Sequence, residues 1–364
     1  MERRSIRLLI TALMLIGLPA AGILVSGRPL SMYLEFPPHS RYVEHQPFSW
    51  VAFGAMALFL GVIVGPFLAR ALRCMGWGSA AQEIRRCALP WWGWIGVVLT
   101  GVSWLVAWTD APFPGPLQAH TFTPLWVGYI LVVNALVQRR SGASPLTHRT
   151  RTYLLLFPSS ALFWWFFEYL NRFVQNWHYV GENLDPWSYF WSATLPFSTV
   201  LPAVLATKAL VETCSWPQKA FSQFIKIKVP APKVLAWVCL GASGLGLALI
   251  GLSPNYTYPL LWISPLIIIV SLEGIAGRPH VFSPVVRGDW REIVAASSAA
   301  LLCGFFWEMW NIYSFPKWEY SIPFVHRFEI FEMPLLGYAG YLPFGVECLV
   351  VADLLLGWRK GRGR

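Results

Sequence analysis

Charge is what this sequence has least of: Asp, Glu, Lys and Arg make up 13% of it, about half of the roughly 25% usual in soluble domains. A chain of 364 residues cannot clothe a water-facing surface with so few charges, so the apolar runs between them are read as facing lipid. The patterns of common cofactor chemistry are missing too. No phosphate-loop glycines, dinucleotide fingerprint, nucleophile elbow or long polar segment occurs, which argues against ATP hydrolysis and nicotinamide chemistry. The six cysteines form no C-x-x-C pair and the seven histidines no H-x-x-H or H-x-x-x-H pair. No metal site and no cofactor is therefore expected, and reduced, unpaired thiols are.

What the chain has in plenty is apolar and aromatic surface. Hydrophobic residues make up 56%, aromatics 16%, and the mean hydropathy is +0.50. A bilayer crossing needs about 20 mostly apolar residues. Ten stretches qualify, at roughly 8–26, 48–69, 90–108, 124–138, 153–173, 189–210, 234–252, 258–274, 293–312 and 334–356. The expected fold is all-α, a polytopic integral membrane protein of about ten transmembrane helices. An N-terminal signal peptide over Met1–Gly27 is the competing reading of the first stretch. It leaves the rest of the topology unchanged.

The charges test the count. With a cytoplasmic N-terminus, twenty-three of the 28 basic residues fall in inner segments, among them Arg7, Arg70, Arg85, Arg86, Arg140, Arg149, Lys208, Arg291, Lys360, Arg362 and Arg364. The five left outside are Arg28, Arg41, Arg172, Lys317 and Arg327. That bias predicts a multi-pass protein of the inner membrane with both termini cytoplasmic. The net charge of +10 is spread over short loops, so membrane lipids are the expected partners and nucleic acid is not.

Two segments match at an offset of about 136–141 residues. Leu125-Trp126 corresponds to Leu261-Trp262. Phe166-Phe167-Glu168-x-x-Asn171 followed by Trp177-x-Tyr179 corresponds to Phe306-Trp307-Glu308-x-x-Asn311 followed by Trp318-x-Tyr320. Each copy closes in a helix interrupted by proline, Pro196 and Pro202 in one, Pro334 and Pro343 in the other. The expected organisation is two N-terminal helices with an outer loop in 1–89, then a four-helix unit in 90–212 and its tandem parallel duplicate in 234–357. An axis along the membrane normal would relate them.

The repeated polar residues are the candidate site. Glu168 with Asn171, and Glu308 with Asn311, share a helix face by their spacing. A carboxyl within a span is costly unless a cavity or partner receives it. If the repeats bring Glu168 and Glu308 face to face, they form an acid and a base, with Asn171 and Asn311 orienting them. Glu347, four residues after Pro343, has Ala206 as its counterpart and is a candidate substrate or ion group. Trp177, His178, Tyr179, Trp318 and Tyr320 are candidate substrate contacts through their ring faces, or else an interfacial belt. The bland alternative for the Glu-Asn pairs is a brace for the turn that follows.

Three functions fit. One is an intramembrane enzyme acting on a lipid or isoprenoid-type substrate, a hydrophobic small molecule, by acid/base chemistry. The second is a permease or secondary transporter with parallel repeats. The third is a non-catalytic subunit of an envelope-assembly machine.

Overall fold

The structure, a computed structural model, describes residues 2–38, 40–74, 88–109, 118–181 and 184–359. Arg85, Arg86, Lys360, Arg362 and Arg364, all placed in inner segments above, lie outside the described residues. The protein is mostly helical, and each of the ten predicted stretches is helical in it. In chain order the helices are α1 (Glu2–Val25), α2 (Trp50–Cys74), α3 (Trp91–Trp108), α4 (Phe122–Ser141), α5 (Leu156–Val174), α6 (Pro186–Phe197), α7 (Val200–Glu212), α8 (Pro232–Leu249), α9 (Leu260–Ile275), α10 (Arg291–Asn311) and α11 (Tyr341–Leu356).

Seven helical segments are long and apolar enough to cross a membrane: α1, α2, α3, the joined pair α6–α7, α8, α10, and α11 with the turn before it. Helix α9 is apolar but shorter. Helices α4 and α5 fall outside that set, and their burial explains why. They carry Asn134 and the trio Glu168, Asn171 and Arg172, all buried. A helix enclosed by other helices meets protein partners rather than lipid, so it can hold polar groups that a lipid-facing helix cannot.

Local sequence sets the boundaries. Asp185 caps α6 by accepting from the backbone of Trp187 (3.1 Å) and Ser188 (3.3 Å), with Pro186 at the first helical position, where no amide is needed. Ser198 and Thr199 separate α6 from α7, where Pro196 and Pro202 each withhold an amide from the helical ladder.

Packing follows a reciprocal pattern. Helix α3 pairs with α4 and α8 with α9; α7 lies against α4 and α5, and α11 against α9 and α10. Across the middle, α7 packs on α10 and α11 on α5. The α10–α11 contact is close because of Gly345, whose absent Cβ would lie 2.1 Å from the Ala296 carbonyl oxygen. Small residues at such crossings are what membrane helices use to bring backbones together. Helix α1 docks on α8 in the same way, Gly22 facing the Ala248 carbonyl, and its Arg7 pairs with Glu273.

Two short strands join the halves at one end of the bundle. Strand β1 (Trp177–Val180), after α5, pairs antiparallel with β2 (Lys317–Tyr320), after α10. Trp177 lies opposite Tyr320 and Tyr179 opposite Trp318.

Helix α2 stands apart. None of its residues is buried, and it is anchored at both ends. At one end Phe67 packs on Phe221, Phe224 and Trp290, and Arg70 donates to the Ala220 carbonyl (3.1 Å). At the other, the Ser49 amide donates to the Phe324 carbonyl (2.9 Å), while Trp50 and Phe53 pack on Phe328. Phe324 and Phe328 hold φ values of 63° and 56°. Bulky residues rarely adopt that left-handed backbone, so the surrounding packing imposes the conformation.

Candidate functional site

Glu168 and Glu308 do not meet. Each is fully buried in its own nest of aromatic donors, and neither bonds to the other. Glu168 Oε1 accepts from Trp164 Nε1 (3.0 Å), Trp177 Nε1 (3.0 Å) and the Tyr179 hydroxyl (2.7 Å). Glu308 Oε1 accepts from the hydroxyls of Tyr320 (2.7 Å) and Tyr341 (2.5 Å). Among the described residues, the second oxygen of each carboxyl has no hydrogen-bond partner. The expectation of two carboxyls facing each other gives way to two carboxyls, each behind tyrosines. The reason is local: the strand that follows each helix folds its own Trp-x-Tyr back onto its own glutamate.

The nests differ in one exchange of bulk. Trp164 sits one turn before Glu168. The position one turn before Glu308 is Gly304, where an added Cβ would lie 2.4 Å from the Tyr341 ring. Gly304 therefore makes room for Tyr341, which replaces the indole as a donor. Trp318, the counterpart of Trp177, donates to the Tyr320 hydroxyl (2.9 Å) rather than to the carboxyl.

The asparagines are braces. Asn171 Nδ2 donates to the Trp177 carbonyl (2.8 Å) and Asn171 Oδ1 accepts the Asn176 amide (2.8 Å). Asn311 Nδ2 donates to the Trp318 carbonyl (2.7 Å) and its Oδ1 accepts the Trp318 amide (2.9 Å). Both side chains spend their hydrogen bonds on the strand backbone, which fixes the tryptophan and tyrosine beside each glutamate. His178 faces Glu319 across the ribbon at 3.7 Å and meets Tyr42 edge-on, away from the nests.

The candidate site is the cavity these residues enclose. It has a volume of about 1010 Å³, and Trp164, Trp177, Tyr179, Trp318, Tyr320 and Tyr341 are among its lining residues. The glutamates do not line it; their tyrosine partners do. Trp262 and Trp307 add ring faces, and Phe344 packs on both. Its size stands at the upper end of the roughly 300–1,000 Å³ of common small-molecule pockets. Sequence reasoning missed Trp164, Tyr341, Trp262 and Trp307 as site residues. The pairing of Trp164 with Gly304 at equal distance from the two glutamates was the readable signal.

Glu347 lies elsewhere, fully buried in α11, with neither oxygen hydrogen-bonded among the described residues. It is not part of the cavity wall. The loop before α2 is stitched down: Glu35 pairs with Arg172 (3.0 Å) and Arg41 (3.3 Å), and Tyr33 stacks on Phe173. Ser40 of the same loop reaches the cavity wall.

What the fold defines is a class: a mostly helical, membrane-embedded protein with an aromatic cavity at the ribbon end. No family model matches the chain, and neither a curated protein nor a solved structure is similar to it.

Proposed function

We propose that this is an inner-membrane enzyme that holds a lipid or isoprenoid-type substrate in the aromatic cavity and acts on it by acid/base chemistry. The observation that carries the reading is the double nest: tyrosine hydroxyls line the cavity while each is bonded to a buried carboxyl. Such a pair moves a proton without exposing the acid. Protonated Glu308 passes its proton to the Tyr341 oxygen as the Tyr341 hydroxyl proton goes to the substrate. Tyr179 and Glu168 run the relay in reverse and take a proton from the cationic intermediate, which releases the product; Glu168 then gives up its proton to solvent and Glu308 regains one. One proton enters and one leaves, so isomerisation or cyclisation of a double bond needs no oxidant or reductant. Ring faces of Trp177, Trp307 and Trp318 lower the cost of positive charge on the intermediate.

The architecture belonging to this reading is ten spans with both termini cytoplasmic. Residues 90–212 and 234–357 are parallel copies of one four-helix unit, preceded by two helices in 1–89. The reciprocal α7–α10 and α5–α11 contacts support it, as do the matching asparagine braces and the two strands pairing in one ribbon. In this frame Glu168, Glu308, Tyr179, Tyr320 and Tyr341 carry the proton transfers. Trp177 and Trp318 contact substrate, and Asn171 and Asn311 position them.

The test is the lipid profile of cells lacking the protein, compared with cells restored by the wild type, Glu168→Gln or Glu308→Gln. A lipid missing in the deletion, restored by the wild type and not by either variant, is expected. Full restoration by both variants would sink the relay.

A further inference from the structure

Helix α2 and the charge of the cavity wall together name the kind of molecule that fits. Met56, Phe59, Leu60, Ile63 and Val64 of α2 all line the cavity. Their spacing is that of one helix face. That face meets the cavity along the middle of α2, which is anchored by Phe67 and Arg70 toward one end and by Phe324 and Phe328 at the other. The middle of α2 is thus a strut, with open space behind it and lipid on its exposed faces. A mainly apolar space of this volume inside a bilayer suits a hydrocarbon chain, with polar groups on the wall left to meet its head.

The described part of the wall carries no Lys, Arg, Asp or Glu side chain. Among the described residues lining the cavity, the one side chain able to become a cation is His120. The polar groups are neutral: tyrosine hydroxyls, indole N–H groups, and the side chains of Gln118, Asn176, Ser188 and Ser192. A phosphate or diphosphate head group is recognised by Arg or Lys. Burying one here without such a partner would be strongly unfavourable.

We infer that the cavity takes a single long-chain lipid that bears no charge, such as an isoprenoid hydrocarbon or alcohol, and that this lipid reaches it from the bilayer between α2 and the bundle. The inference deepens the function proposed above, by giving its substrate class and route, but its test is a binding test that needs no turnover.

The full-length protein, reconstituted in nanodiscs, is exposed to trace amounts of two photoreactive probes sharing one prenyl tail, a free alcohol and its phosphate monoester. After irradiation, crosslinked peptides are mapped by mass spectrometry. The alcohol is expected to label residues 56–64 of α2 and 339–344 before and within α11, and the phosphate to leave both at the level of the lipid-facing helices. Gly340 lines the cavity, and nothing lies within 4 Å of a Cβ added there. Gly340→Trp is therefore expected to fill the space and cut alcohol labelling roughly tenfold or more, a loss of about 1.4 kcal/mol in binding. Ala193→Trp, from α6 on another wall, serves if the first variant does not fold. Equal labelling of the two segments by the phosphate probe would overturn the inference, as would alcohol labelling indifferent to both tryptophans. Labelling as expected, combined with full function of Glu308→Gln in cells, would sink the proton relay and leave this inference standing.

Discussion

Replacing Glu308 by Leu tests the nest most directly. Tyr320 and Tyr341 both donate to one oxygen of this carboxyl, at 2.7 and 2.5 Å. Leucine has a similar bulk and no acceptor, so two hydroxyls lose their partner at once. An unsatisfied buried donor costs about 1–3 kcal/mol, which sets about 2–6 kcal/mol for the pair. Hydrogen bonds in membrane proteins average nearer 0.6 kcal/mol, because the unfolded chain also finds partners, so the lower part of that range, about 2–3 kcal/mol, is expected. Glu308→Gln keeps the accepting oxygen and should fall between Leu and the wild type. The decisive variant adds Tyr320→Phe and Tyr341→Phe to Glu308→Leu. Removing donors and acceptor together leaves nothing unpaired, and most of the lost stability should return. Unfolding in mixed micelles followed by tryptophan fluorescence measures the series. A triple variant less stable than Glu308→Leu alone would refute the account, as would a Leu variant as stable as the wild type.

Other expectations follow from the same contacts. Asn171→Leu and Asn311→Leu should each raise amide exchange across 177–180 and 317–320, with about 1–3 kcal/mol of local stability lost per brace; unchanged exchange in both would remove the bracing role. Gly345→Val places methyl groups against the Ala296 carbonyl and should lower the melting temperature by separating α10 from α11, whereas Gly340→Ala, with open space around it, should not; equal effects would contradict the close crossing. His280, in the turn after α9, has its pKa lowered first by burial and then by Arg359. Because its folded pKa lies below the ordinary histidine value, the unfolded chain binds the proton more readily. Its contribution is therefore complete above about pH 6.5 and declines as the pH falls toward the folded value. A melting-temperature profile from about pH 7.5 to about pH 5 should flatten in His280→Gln, and superimposable profiles would count against it.

Much of the fold was legible because lipid imposes a coarse rule: every stretch that read as apolar for the length of a crossing is helical. The local half of the site was legible for a related reason. Asn171 reaches Trp177 six residues on, and Glu168 reaches Tyr179 eleven residues on, so the motif contains its own partners. Tyr341 was not legible, since it arrives at Glu308 from 33 residues away, across a turn whose path no spacing rule predicts. The halves of the ribbon are 140 residues apart, and the Trp-x-Tyr pairs gave no sign of strand pairing beyond their recurrence. The expected meeting of the glutamates failed because no spacing rule shows a strand folding its rings back onto the carboxyl of the helix before it. Nor did the largely apolar composition of α2 reveal that none of its residues is buried.

The ribbon between Trp177–Val180 and Lys317–Tyr320 also constrains motion. Antiparallel ladders resist shear, because sliding one strand along the other breaks every bond together and reverses which side chains face inward. If the segments that follow α5 and α10 were to swing apart at that end, as an alternating-access carrier requires, every bond of the ladder would have to open, while Tyr179 stayed with Glu168 and Tyr320 with Glu308. The clasp makes the ribbon end a hinge at most, so any larger opening of the protein would have to come from a part of the bundle that the ladder does not span.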